Sequence, residues 1–125
     1  MAKQKIKLVL VEDEPALSRV LTDKLTSEGF EVVQIFSGDE AFDAIKNGKP
    51  NLVLLDLLLP KKHGFDILAD LKADAETQPI PVIILTALGS DDDIKKGIQL
   101  GSVDYIVKSQ HAIAEIIEKI KTHAK

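Results

Sequence analysis

Short apolar runs alternate with helical patterns along this chain, and the alternation constrains its fold more than any other feature. The apolar runs cover residues 6–11, 32–36, 52–55, 82–85 and 105–107. Each run is followed by apolar residues at helical spacing. Strands and helices in alternation predict a parallel sheet with helices on both faces. At 125 residues the chain has the length of one domain, so we predict a single doubly wound α/β domain of five strands over residues 1–125.

Several residues indicate where helices begin and end. Pro15 falls in a predicted first helical turn, which tolerates proline, and Gly29 is placed to end that helix in a left-handed conformation. Ser37 and Glu40 have the spacing of a capping box, in which each side chain satisfies a backbone donor of the other residue. A fourth helix is expected over about residues 91–100, because its acidic start and later lysines suit the helix dipole.

Composition narrows the classes of function. A formal net charge of −4 and one tyrosine with no tryptophan argue against both a broad nucleic-acid surface and a base-stacking platform. No apolar run approaches the roughly 20 residues that span a bilayer, and residues 1–5 lack the apolar stretch of a secretory signal. The chain has no cysteine and therefore no thiolate metal site. We expect a cytoplasmic protein with no membrane partner and no direct nucleic-acid partner.

The chemically distinctive residues lie just past the predicted strands. Glu12 and Asp13 follow the first strand, Asp56 the third, Thr86 the fourth and Lys108 the fifth. Ligands of doubly wound sheets bind at this carboxyl edge, so these side chains are expected to converge. Clustered carboxylates repel one another unless a cation neutralises them, and an oxygen-only set favours a hard ion such as Mg²⁺. A hydroxyl and an ammonium group beside them suit phosphoryl transfer to an aspartate.

Four motifs at these positions carry a resemblance to a known family. They are Val9-Leu10-Val11-Glu12-Asp13-Glu14, Leu54-Leu55-Asp56-Leu57-Leu58-Leu59-Pro60, Leu85-Thr86-Ala87 and Asp104-Tyr105-Ile106-Val107-Lys108. Together they resemble the signatures of response-regulator receiver domains, in particular single-domain receivers of the chemotaxis type. The resemblance covers essentially the whole chain, with the motifs in the family's order. It implies the flavodoxin-like strand order 2-1-3-4-5, written (βα)5.

The resemblance also implies a metal site and a phosphoacceptor. Asp56 is the expected phosphoacceptor. Asp13 is expected to bind Mg²⁺ directly and Glu12 mostly through water. Asp56 and the backbone carbonyl of Leu58 complete the expected metal shell, in which Mn²⁺ can replace Mg²⁺.

Three further residues are expected to respond to the phosphoryl group. Thr86 and Lys108 are expected to bind its oxygens. Tyr105 matches the aromatic residue that changes rotamer on activation, although an aromatic residue in a strand also suits core packing.

The implied function is Mg²⁺-dependent transfer of a phosphoryl group to Asp56 from the phosphohistidine of a sensor histidine kinase or phosphotransfer protein. The face formed by the fourth helix, fifth strand and fifth helix would then bind a downstream protein target. We expect the protein to be a monomer or weak dimer. We expect no output domain in this chain, and we do not expect it to act as a turnover enzyme. One alternative is a degenerate receiver that binds proteins without phosphate. A haloacid-type phosphatase would need an aspartate where Leu58 stands, and a nucleotide- or flavin-binding module would need a glycine-rich loop after the first strand.

Some residues depart from the family pattern or lie outside the expected site. Ser109 follows Lys108 where receivers usually have proline, so this loop is expected to run differently. Gly97 interrupts the fourth helix, which predicts a mobile helix. Leu58 and Leu88 are expected to flank the site and to slow hydrolysis of a phosphoaspartate. The three histidines lack metal-ligand spacing and are expected on the solvated surface.

Overall fold

The computed structural model describes residues 5–124, and this part of the chain alternates five strands with five helices. The strands are β1 (Lys7–Val11), β2 (Glu31–Ile35), β3 (Leu52–Leu55), β4 (Val82–Thr86) and β5 (Asp104–Val107). The helices are α1 (Pro15–Ser27), α2 (Ala41–Gly48), α3 (Gly64–Ala73), α4 (Asp91–Gln99) and α5 (Ile113–His123). Single turns of 3-10 helix, Gly38–Glu40 and Lys108–Gln110, precede α2 and α5. The prediction about a secretory signal concerns residues 1–5, of which all but Lys5 lie outside the described residues.

The strands form one parallel sheet in the order β2-β1-β3-β4-β5. Leu10 of β1 lies opposite Gln34 of β2 on one side and Leu54 of β3 on the other. The predicted doubly wound order 2-1-3-4-5 is confirmed. Because the chain moves outward from β1 to β2 and then returns to β3, the carboxyl ends of β1 and β3 flank the topological switch point.

Alternate residues of the central strands pack into two cores, one on each face of the sheet. Leu10 and Leu54 belong to the core that α1 and α5 cover. Val53 and Leu55 belong to the core on the other face, with α2 and α3. Both β3 and β4 are buried along their whole length, as their continuous apolar sequence predicted. Burial of one large aliphatic side chain contributes about 1.5–3 kcal/mol, so these strands hold the site-bearing edge of the sheet firmly.

The ends of α1 agree with the sequence, whereas the start of α2 does not. Pro15 opens α1, and Gly29 follows its end with a φ of 97°. The predicted capping box is wrong, because the Ser37 hydroxyl donates to Asp39 Oδ1 at 2.7 Å. A tertiary contact fixes this segment: the Gly38 N–H donates to the carbonyl of Pro60 at 3.0 Å.

The three histidines are half-buried, and each has a polar partner, so the prediction of a solvated surface was only partly right. His63 begins α3, and its Nδ1 accepts a hydrogen bond from the Phe65 N–H at 3.0 Å. His123 Nε2 lies 3.1 Å from Asp104 Oδ2, and His111 Nδ1 lies 3.5 Å from a glutamate of the next helical turn. Across residues 5–124, no helix has the length and apolar character needed to cross a bilayer.

Candidate functional site

Backbone hydrogen bonds fix the residues that directly follow β1 and β3. The Glu12 N–H donates to the carbonyl of Ile35 at 2.9 Å, and the Asp56 N–H donates to the carbonyl of Val11 at 3.0 Å. The parallel ladder therefore continues one residue beyond both strands. Glu12 is 1% exposed and Asp56 is 4% exposed, whereas Asp13 is exposed at the surface. Two buried carboxylates thus directly follow the paired central strands β1 and β3.

Three carboxylates and one ammonium group meet at this edge, as the sequence predicted. One oxygen from each of Glu12, Asp13 and Asp56 lies within 4.8 Å of the other two. Lys108 Nζ donates to Asp56 Oδ2 at 2.8 Å and lies 2.6 Å from Glu12 Oε1. The second oxygen of Asp56, Oδ1, accepts a hydrogen bond from the Leu58 N–H at 3.2 Å. Lys108 therefore neutralises part of the negative charge of the buried pair.

Burial and charge shift the pKa values of Glu12 and Lys108. Burial raises the pKa of Glu12 to about 7; Lys108 opposes this rise, and the negative charge of Asp56 adds to it. Burial alone would lower the pKa of Lys108, but its contacts with Asp56 and Glu12 outweigh burial and raise that pKa overall. Lys108 is therefore charged at neutral pH, and the Glu12 carboxyl ionises less readily than an exposed glutamate.

The donor set fits a hard divalent cation. All the candidate side-chain ligands offer oxygen, which Mg²⁺ and Mn²⁺ accept. Glu12 Oε1 is buried and accepts no aligned hydrogen bond from the described residues, despite its close contact with Lys108. An open depression of about 390 Å³ lies over Glu12, Asp13, Asp56 and Leu58, which leaves room for an ion that keeps several waters.

Thr86 ends β4 and is fully buried. Its hydroxyl accepts a hydrogen bond from the Leu88 N–H at 3.4 Å. Ala87, not Thr86, lines the depression over the carboxylates. The structure therefore places Thr86 at the predicted strand end, with its hydroxyl turned toward the loop that leads to α4.

Tyr105 connects that same loop to β5. Its hydroxyl donates to the carbonyl of Leu88 at 2.6 Å. Burial raises the pKa of Tyr105 to about 12, and the negative charges of Asp93 and Asp56 add to the rise. The ring is partly buried against the core on the α3 face of the sheet. Tyr105 thus combines core packing with a specific hydrogen bond, and its change of rotamer on activation stays a prediction.

Ser109 stands where receivers usually have proline, and the Lys108 side chain nevertheless reaches the site. Ser109 lies within the 3-10 turn Lys108–Gln110, and no peptide bond within residues 5–124 is cis. The side chain of Lys108, which is 19% exposed, nonetheless reaches both buried carboxylates. With Ser109 in place of proline, the ammonium group of Lys108 therefore still lies in the site.

Two glycines near the site make close approaches to the backbone of other residues. A Cβ on Gly64 would lie 2.5 Å from the backbone oxygen of Asp56, and a Cβ on Gly38 would lie 2.2 Å from the backbone oxygen of Lys62. Both distances are too short for any side chain. Gly38 lets the loop after β2 pack against the loop after β3, and Gly64 lets the start of α3 lie against the backbone of Asp56. Such distances are read from tertiary coordinates.

Comparison with known proteins identifies the family. A family model described as the response regulator receiver domain matches residues 8–121. The chain belongs to this family. It is therefore a receiver domain of two-component signalling, as the motifs predicted.

Individual relatives agree with this assignment. The phosphate regulon transcriptional regulatory protein PhoB of Rhizobium meliloti is 38% identical over 115 residues, which are 92% of this chain and 50% of that protein. The BeF3-activated N-terminal receiver domain of Klebsiella pneumoniae RstA has a TM-score of 0.87 at 33% identity and covers 95% of this chain and 98% of that one. The Mn²⁺-bound form of response regulator Rcp1 has a TM-score of 0.83 at 31% identity, with 93% and 91% coverage.

The names of the curated relatives qualify two expectations. Several are described as transcriptional regulators, which conflicts with the expectation that the chain has no direct nucleic-acid partner. The chain spans half or less of the length of these relatives. The absence of an output domain therefore stays a prediction.

Proposed function

We propose that Asp56 accepts a phosphoryl group from the phosphohistidine of a sensor histidine kinase or phosphotransfer protein. One observation carries the proposal: at the switch point of the sheet, a buried carboxylate contacts a lysine ammonium and lies beside an acidic pair. Asp56 Oδ2 contacts Lys108, and Oδ1 contacts the Leu58 N–H, so both oxygens have defined positions. The acceptor is thereby oriented before a donor arrives.

The transfer exchanges one phosphorus bond for another. An oxygen of Asp56 forms a bond to phosphorus while the bond from phosphorus to the histidine nitrogen breaks, and that electron pair stays on the imidazole ring. Lys108 contacts the carboxylate and is positioned to stabilise negative charge on the phosphoryl oxygens as well. Asp13, Asp56, Glu12 and the carbonyl of Leu58 would hold Mg²⁺, which when bound neutralises the carboxylates and the phosphoryl oxygens. The domain is altered by this reaction and is not a turnover enzyme.

The phosphoryl group would change the surface through Thr86 and Tyr105. A phosphoryl oxygen would accept a hydrogen bond from the Thr86 hydroxyl. Turning that hydroxyl toward the phosphoryl group would break the bond it accepts from the Leu88 N–H, and the Leu88 carbonyl also holds Tyr105. A change at Thr86 therefore reaches the surface formed by α4, β5 and α5. We place the binding of a downstream protein on that surface.

We assign the domain to the cytoplasm, where a histidine kinase would supply phosphoryl groups, and we propose a monomer or weak dimer. The transcriptional relatives allow a longer protein in which this domain controls a DNA-binding partner or segment. The net charge of −4 nevertheless argues against a broad DNA-binding surface on this chain.

Intact-mass spectrometry after incubation with acetyl phosphate tests the proposal. We expect a base-labile phosphoryl adduct that needs Mg²⁺ and disappears in Asp56→Asn. Asp66→Asn, an exposed aspartate in the first turn of α3, is the matched control and should retain the adduct. A folded wild-type protein that forms no adduct would instead favour a scaffold that binds partners without phosphate.

A further inference from the structure

Gly97 is the buried residue of α4, and its missing side chain makes room for Tyr105. A Cβ on Gly97 would lie 2.9 Å from Cδ2 and 3.1 Å from Cε2 of the Tyr105 ring, and 2.7 Å from Cδ1 of Ile84. Cβ atoms in real proteins essentially never approach another heavy atom within 3.0 Å. The Tyr105 ring therefore occupies space that exists because residue 97 is glycine.

Hydrogen bonds at the end of α4 fix the backbone of Gly97. The carbonyl of Gly97 accepts hydrogen bonds from the Ser102 N–H at 3.1 Å and from the Ser102 hydroxyl at 3.0 Å. Gly101 has a φ of 111°, and its N–H donates to the carbonyl of Ile98 at 3.0 Å. These bonds form a Schellman motif, which closes the helix end. Gly97 therefore has a fixed backbone conformation at the end of α4.

The opposite end of Tyr105 is bound to the loop that follows Thr86. Its hydroxyl donates to the carbonyl of Leu88 at 2.6 Å, and the N–H of Leu88 donates to the Thr86 hydroxyl. A continuous set of contacts thus runs from Thr86 through Leu88 and the Tyr105 ring to Gly97. The remaining residues of α4 are at least partly exposed, so little else anchors the helix to the sheet.

We propose that Gly97 is a positioning residue. The space left by its missing side chain, here called the socket, holds the Tyr105 ring, and this contact couples the rotamer of Tyr105 to the distance between α4 and the sheet. With the ring in the socket, the hydroxyl reaches the carbonyl of Leu88 and α4 lies close to the sheet. With a side chain at residue 97, the ring must leave or the helix must lift. The consequence for signalling rests on the proposed phosphorylation of Asp56, whereas the contact itself does not.

Intrinsic fluorescence measures the socket directly, because Tyr105 is the one tyrosine of a chain without tryptophan. We expect Gly97→Ala to expose the ring, so that acrylamide quenches its emission more strongly than in the wild-type protein. Gly48→Ala is the matched control, because a Cβ there would meet only the end of the Lys7 side chain, at 3.5 Å. Quenching in Gly97→Ala equal to that in the wild type and in Gly48→Ala would overturn the proposal.

A double-mutant cycle separates the socket from general damage to the helix. Alanine is the better helix former, so Gly97→Ala should stabilise α4 wherever no clash opposes it. We expect Gly97→Ala to lower the urea midpoint in the wild-type background and to lower it less, or raise it, in Tyr105→Ala. If Gly97→Ala alone does not fold, a folded Gly97→Ala/Tyr105→Ala protein supports the socket. An equal loss in both backgrounds, or two unfolded proteins, would refute it.

Phosphorylation separates this inference from the proposed function. Gly97 does not touch the carboxylates, so Gly97→Ala should form the acetyl phosphate adduct at the wild-type rate while its tyrosine stays exposed. A wild-type protein that forms no adduct would remove the proposed function but leave the fluorescence result valid. A Gly97→Ala protein that loses the adduct while its ring stays in the socket would contradict the positioning role.

Discussion

Replacing Lys108 by methionine removes the cation that lies between Glu12 and Asp56. The side chains of these carboxylates are 1% and 5% exposed, and Lys108 Nζ lies 2.6 Å and 2.8 Å from them. Methionine retains much of the aliphatic stem but leaves two buried carboxylates facing each other. Breaking a buried ion pair by removing one partner costs about 3–5 kcal/mol. We expect a loss of this order in the free energy of unfolding above neutral pH without metal.

The pH dependence follows from Glu12, whose pKa is raised from 4.5 to about 7 in the folded protein. An acid with a raised folded-state pKa lowers stability as it ionises, so its penalty is absent below the unfolded pKa and complete above the folded one. At about 1.4 kcal/mol per pKa unit, this penalty is on the order of 3 kcal/mol in the metal-free wild type. Loss of Lys108 raises the pKa of Glu12 further, so the variant's deficit grows as pH rises through this interval.

Urea denaturation followed by far-UV circular dichroism measures both effects, with EDTA or with Mg²⁺ present. The deficit of Lys108→Met should be small in acid, large above neutral pH, and reduced by Mg²⁺. Lys95→Met is the control, because Lys95 is exposed on α4 and forms no ion pair within residues 5–124. A Lys108→Met protein as stable as Lys95→Met in alkaline, metal-free buffer would refute the reasoning.

Three further predictions concern the loops after β3 and β4 and helix α4. Polar substitutions at Leu58, which is 48% exposed, and at Leu88 should admit water and accelerate phosphoaspartate decay in mass spectrometry; an unchanged decay rate would remove this idea. Amide hydrogens of α4 should exchange faster than those of β3, and equally slow exchange would contradict a weakly anchored helix. Ser90→Ala removes the acceptor of the 3.1 Å bond from the Asp93 N–H and should cost about 1 kcal/mol in urea denaturation, whereas no loss would argue against the cap.

The features that depend on local pattern were predictable from the sequence. Buried strands gave continuous apolar runs, and Pro15 and Gly29 marked the limits of α1 because their backbone preferences are local. The convergence of Glu12, Asp56 and Lys108 also followed, because parallel strands bring their carboxyl ends to one edge.

The features that depend on close approach were not predictable. Gly97 suggested a weak point in a helix, yet the Tyr105 ring packs where a side chain at residue 97 would lie. The Ser37–Glu40 spacing suggested a capping box, yet a hydrogen bond between Gly38 and Pro60 fixes that loop in another conformation. A local motif has little weight where a distant segment competes for the same backbone groups. The expected roles of Leu58 and Tyr105 came from the family resemblance, because their residue types alone do not indicate these roles.

We expect Asp56, rather than another carboxylate, to carry the phosphoryl group. Borohydride reduction after incubation with acetyl phosphate and Mg²⁺ converts a phosphoaspartate into homoserine, and tandem mass spectrometry then locates the modified residue. We predict a single modified position at Asp56 that is lost when Mg²⁺ is removed. Modification at Asp13 or Glu12 instead, or modification that does not depend on Mg²⁺, would contradict the account.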